Sequence, residues 1–285
     1  MLSRVYLIAA ITYRQSARQS LFYIIVLASV VLLFIAAPFA LFGFGEEVTM
    51  FREIGLATIT FACLIIAILS ADTNITAEIE KQTILTIFTK PLHRAEFIFG
   101  KFLGIAYTLF LTVICLGIVF LMVYWLKEGR SQIDTKLMEG EYLKRGATAI
   151  LEDTLKFFQK DGLILAAGIY VSFLQGLIIS AVAVAFATFF TLPITAMACF
   201  VFFLLGHIAH YILNALLKSG FAPLVVLYVI LYPFLPNLTH LNVSTPVASL
   251  SPISVGYLGL VTLYAVIYST IILLVTSIIF GRREF

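Results

Sequence analysis

An all-helical protein that crosses a membrane six times is the fold class this sequence predicts, on three observations. The chain of 285 residues is 62% hydrophobic and 12% charged, and several of its apolar runs exceed the roughly 20 residues a helix needs to span a bilayer. The charges are gathered between those runs, as they must be when an ionised group in hydrocarbon costs several kcal/mol. Small residues recur every fourth position within two of the runs, the spacing that permits close helix contact in lipid. A single membrane domain over 1–285 follows.

Taken in order, residues 1–20 form an amphipathic helix at the membrane surface. Leu2, Val5, Tyr6, Ala9 and Tyr13 recur on one side, and Arg4, Arg14 and Arg18 can reach lipid phosphates. A plain basic flank orienting the first span is a compatible reading. Thr12, Tyr13 and Arg14 interrupt the apolar residues, so this is no cleavable signal. The first span covers 21–44, with Gly45, Glu46 and Glu47 at its exit, and the second covers 54–71. The third, about 97–126, opens with Gly100, Gly104, Thr108 and Thr112 at four-residue spacing.

Residues 127–161 are too charged to cross. Within them Leu143, Ala147, Ile150, Leu151, Thr154 and Phe158 trace one helical face, which lies on the outer membrane surface, touches a partner, or is simply solvated. The fourth span, 162–190, carries a second ladder of Gly168, Ser172, Gly176 and Ser180, with Gln175 beside it. That ladder seats a close helix contact, within the subunit or across a dimer. Thr191, Leu192 and Pro193 make a turn, and the fifth span covers 194–217. In 221–237 Pro223, Pro233 and Pro236 leave too few uninterrupted residues for a span, and a re-entrant segment is expected. Polar residues of 239–254 lead into the sixth span, 257–280.

The stretch 78–104, between the second and third spans, organises the rest. Ile79, Thr83, Ile84, Ile87 and Phe88 form an apolar stripe at helical spacing, and Pro91 ends it because proline lacks the N–H and disfavours a helical Lys90. Glu78-x-Glu80-x-x-Thr83, then Lys90-Pro91-x-x-Arg94, then Gly100-Lys101-x-x-Gly104 resembles the first cytoplasmic loop of type-2 ATP-binding-cassette (ABC) transporter permeases. The similarity leans toward the branch of NosY-type and gliding-motility permeases, although Gln82-Thr83 stands where many relatives have Gly-Thr.

What the resemblance implies is a cytoplasmic coupling helix within 72–96 and an outer-leaflet hairpin over 221–237. It also implies a separate ABC ATPase subunit and a second permease copy or homologue. Thr83 to Phe88, Leu85 among them, would dock on the ATPase, with Lys90 and Pro91 closing the docking element. Glu78, Glu80, Lys81, Lys90 and Arg94 would pair with its charges, Gly100 would let the third span pack closely beneath, and Lys101 belongs to the same motif. Both termini are then cytoplasmic, at the inner membrane of a bacterium or archaeon. Lysine and arginine divide evenly between the two sides, so the basic termini and the resemblance, not the positive-inside count, set that orientation.

Site chemistry is sparse. The net charge of +3 is spread over loops and implies no nucleic acid. Cys63, Cys115 and Cys199 lie in apolar runs without paired spacing, which suggests free thiols. No phosphate-cradling Gly-x-x-x-x-Gly-Lys-Ser/Thr loop occurs, so no enzyme and no cofactor is expected, and any ATP and Mg belong to the partner. No Asp, Glu, Lys or Arg sits well inside a span, which argues against an ion-coupled carrier. His207 and His210 share a helix face; two imidazoles without a further ligand make polar contacts or line a pore, together with Gln175 and Asn214, and no metal site is assigned. The expected function is an ATP-driven permease subunit. A non-transporting scaffold of the same fold and a secondary carrier are the alternatives. The cargo cannot be read, since lipids, hydrophobic drugs and a mechanical role fit the apolar walls equally.

Overall fold

A computed structural model describes residues 2–39, 47–80, 94–129, 152, 154–155, 158–219 and 236–281. Among them, all regular elements are helices. The N-terminal α1 (Leu2–Ala17) is followed by α2 (Ser20–Phe39) and α3 (Glu47–Ala71). A π-helical turn, Asp72–Thr76, carries α3 into the short α4 (Ala77–Glu80). Then come α5 (Arg94–Tyr124) with a π-turn at its end (Trp125–Gly129), and α6 (Leu163–Ala187), entered through a π-turn at Phe158–Gly162. The last elements are α7 (Leu192–Ser219), a 3-10 turn (Leu238–Leu241), α8 (Ser244–Ala248) and α9 (Val255–Gly281).

Six of these helices are long and apolar enough to cross a membrane, as the six apolar runs predict. The helix α6 is central: 72% of its most apolar stretch is buried, against 17% in α2 and 22% in α9, which present their side chains outward. It packs on α3, α5, α7 and α9. The helix ends sort into two groups. Glu78 of α4, Lys101 of α5, Ala187 of α6 and Phe280 of α9 lie toward one end, where Thr76 Oγ1 bonds Ala187 O at 3.1 Å and the Phe97 and Phe280 rings stack at 6.4 Å. At the other end Lys127 Nζ reaches Ala37 O (3.1 Å), and the start of α3 meets α8.

Three expectations shift. The second long helix begins at Glu47 rather than residue 54. Glu47 sits favourably at the positive end of the helix dipole, and Arg52, which reads in sequence as a water-side residue, folds inward and is buried. The turn before α7 lies at 188–190, where Val184 O and Phe186 O accept bonds from the departing backbone. Pro193 is inside the first turn of α7, a place where its missing N–H is harmless.

The third shift concerns α1, which packs lengthwise on α5. Its packed stripe is Val5, Ile8, Ala9, Thr12 and Ser16, with Thr12 and Ser16 fully buried, whereas Tyr6 is 74% exposed. Contacts climb both helices together, from Val5 and Ile8 at Gly100 through Thr12 at Gly104 to Tyr13 at Tyr107 (rings 4.8 Å apart), so the two helices run parallel. Tyr6, Leu7 and Ile11 face outward alongside Arg4, Arg14 and Arg18.

Candidate functional site

At the end that holds Glu78 and Lys101, side-chain bonds to the preceding helical turn shape the chain. Thr73 Oγ1 donates to Leu69 O (2.7 Å) and Asn74 Nδ2 to Ser70 O (2.7 Å), the kind of back-bonding that accompanies distortion of a helix into a wider turn. The same Asn74 amide donates to Ser16 Oγ (2.8 Å), and Gln15 Nε2 donates to Thr73 O (3.2 Å), tying α1 to the turn. One helical turn on, Glu78 Oε1 accepts from Lys101 Nζ at 2.5 Å. The lysine side chain is 4% exposed and its ammonium lies 5.4 Å from the centre of the Phe97 ring. The chain leaving α3 and the chain entering α5 are therefore clamped together by a buried charge pair.

The structure places the residues expected at the coupling loop as follows. Glu78 and Lys101 are joined to each other. Gly100 and Gly104 form the seat of α1: a Cβ at Gly100 would come within 2.7 Å of Ile8, and one at Gly104 within 2.5 Å of Thr12 and 2.6 Å of the Ala9 carbonyl. Glu80 ends α4 and Arg94 begins α5. Lys81, Thr83, Leu85, Phe88, Lys90 and Pro91 lie outside the described residues, as do the side chains of Glu80 and Arg94 and nearly all of the re-entrant segment 221–237.

The second ladder, on α6, meets α3 within the same subunit. Gly168 lies against Leu56, the Ser172 hydroxyl against that of Thr60 (3.1 Å), and Gly176 against Cys63, where an added Cβ would approach to 2.9 Å. Ser180 is buried and donates to Leu177 O (2.8 Å).

Of the residues expected to line a pore, Gln175 and His207 come together. They face a cavity of about 360 Å³ between α3, α6, α7 and residues 241–244, along with Glu53, Thr60 and Ser172. Gln175 Nε2 donates to Leu241 O (2.7 Å), and His207 Nδ1 lies 3.0 Å from Phe203 O. The side chains of His210 and Asn214 are outside the described residues. Among the described residues no group of three or more His, Cys, Asp or Glu is placed to hold a metal.

Sequence reasoning missed a polar cluster at the same end as this cavity. Arg52, 8% exposed, donates through Nη1 to the Ala248 carbonyl and through Nη2 to Tyr124 Oη (3.0 Å); the Tyr124 hydroxyl in turn donates to Asp161 Oδ2 (3.2 Å). The cluster links α3, α5, the turn before α6, and α8. The signal available was the adjacent Arg52 and Glu53 at the mouth of an apolar run; their partners, distant in sequence, gave none. Thr12 and Ser16, four residues apart in α1, were a readable sign of the packed face.

Comparison with known proteins bears on the first half of the chain. No curated protein matches it. Residues 16–146 match the family model described as ABC-2 family transporter protein, and nothing in that match singles out the NosY-type or gliding-motility branch. The matched span holds α2, α3, α5 and the charged segment between α3 and α5 on which the resemblance rests. Over these residues the chain is similar to the membrane proteins of ABC-2 family transporters.

Proposed function

We propose that the chain is the membrane-spanning permease subunit of an ATP-driven ABC-2 transporter, worked by a separate ATPase subunit docked on the segment between α4 and α5. The observation that carries this reading is the Glu78–Lys101 clamp at the flanks of that segment. A displacement applied there reaches α3 and α5 together, and through Asn74 and Gly104 it reaches α1 as well. The charges of the long helices all lie near their ends, which suits a machine driven from outside the bilayer better than a carrier with an ionisable relay. Both termini are then cytoplasmic and the cavity opens toward the outer half of the membrane. Two such chains, or one with a homologue, complete the translocation path.

The test is reconstitution with the cognate ATPase in nanodiscs. Glu80→Lys and Leu85→Pro are expected to abolish permease-dependent ATP hydrolysis and the nucleotide-dependent distance change between spin labels on α3 and α7, with membrane insertion intact. Unaltered coupling in both variants would refute the docking role. Docking with no rearrangement in the unmutated complex would instead support a scaffold.

A further inference from the structure

We propose that the cavity between α3, α6 and α7 is a binding site for a protonated amine. The argument is a balance of hydrogen-bond donors and acceptors. The Thr60 hydroxyl is 3.0 Å from Leu56 O and 3.1 Å from Ser172 Oγ, and Ser172 donates to Gly168 O at 3.2 Å. Gln175 gives an amide hydrogen to Leu241 O. His207 Nδ1 faces the Phe203 carbonyl, which can only accept, so Nδ1 carries the hydrogen and the lone pair of the neutral ring is on Nε2. The hydroxyl and imidazole donors are thus turned into the protein and Gln175 keeps one amide hydrogen, so the cavity is left mainly with oxygen lone pairs, an imidazole nitrogen and the carboxylate of Glu53, which has no partner among the described residues.

The described lining contains no lysine or arginine, and Arg52 is turned away toward Tyr124 and Ala248. Asn242, at the exposed rim, has its side-chain oxygen occupied by the Ser244 hydroxyl (2.6 Å) and backbone N–H (3.2 Å). Two aromatic rings complete the site: Phe61 and Phe203, 5.7 Å apart, both line it. An ammonium group satisfies all of this at once, giving N–H bonds to the acceptors, an ion pair to Glu53 and its charge to the ring faces. An anion or a neutral acceptor meets only the amide hydrogens that Gln175 and Asn242 have to spare and leaves the Glu53 carboxylate uncompensated.

The amine can belong to a lipid headgroup or to a soluble molecule. The inference depends on the permease reading only for whether the amine is cargo; binding is measured on the full chain without any ATPase, so failure of coupling and failure of this site are separate results. Calorimetric titration of the protein in phosphatidylcholine nanodiscs is expected to show saturable binding of benzylammonium. Affinity should be at least about tenfold above that for benzyl alcohol, and Glu53→Gln should remove that margin. Phe61→Leu, at an exposed ring, gives an independent check and is expected to weaken benzylammonium several-fold. If benzylammonium binds no better than the alcohol, or equally well to Glu53→Gln, the proposal is overturned. Suppression of the signal in phosphatidylethanolamine nanodiscs assigns the amine to a lipid, and an unchanged signal there assigns it to a soluble molecule; both uphold the site.

Discussion

Removing either partner of the Glu78–Lys101 pair should have very unequal effects. In Glu78→Gln the ammonium of Lys101, 4% exposed, loses its counter-charge while still buried, a situation that costs about 3–5 kcal/mol. In Lys101→Met the apolar stem is preserved and the carboxylate left behind belongs to the less buried partner, 19% exposed against 4%, so the loss is smaller, about 1–2 kcal/mol. With the lysine gone, the glutamine variant has no stranded charge. The double variant is then expected to resemble Lys101→Met alone, with a coupling of at least about 2 kcal/mol. Equilibrium unfolding in mixed micelles measures all three. If the two single losses are equal and add in the double variant, the pair is not buried as described and the clamp argument fails with it.

Three further outcomes follow from packing. Gly176→Ala, whose Cβ would be 2.9 Å from that of Cys63, should cost about 1–3 kcal/mol, whereas Gly259→Ala, with open space around it, should be neutral or stabilising by up to about 1 kcal/mol; the same unfolding measurement separates them. Gly104→Ala should lift α1 from α5, because the Ala9 carbonyl at 2.6 Å is backbone and cannot rotate away; hydrogen exchange over residues 2–17 is expected to accelerate while that of α6 is unchanged. Tyr124→Phe should cost about 1–3 kcal/mol by stripping a hydroxyl partner from both Arg52 and Asp161, with faster exchange over 236–254 as its local signature.

The number and order of the long helices were legible because hydropathy over some twenty residues is a local property. The four-residue ladders were legible too, since Gly168, Ser172 and Gly176 do seat another helix. Their partners were not: nothing in the sequence pairs Gly104 with Thr12, or Gly176 with Cys63. Charges were the poorest guide. Arg52 and Lys101 read as water-side residues, yet each is buried because a partner far along the chain, Tyr124 or Glu78, makes burial tolerable. The cavity was half legible. Gln175 and His207 stood out as polar residues in apolar runs, while Glu53 and the 241–244 segment joined them only through folding.

The seating of α1 on α5 has a consequence for how the protein is made. The helix α1 is synthesised before α5, on which it rests, and two other long helices are made in between. Until α5 is made, Thr12 and Ser16 have no packing partner on it, and α1 carries its polar stripe as well as its outward tyrosine, leucine and arginines unpacked. Arrival of the paired glycines is therefore the moment at which the half-built bundle acquires its inner corner, and a fault at either glycine is expected to surface first as a failure of assembly rather than of transport.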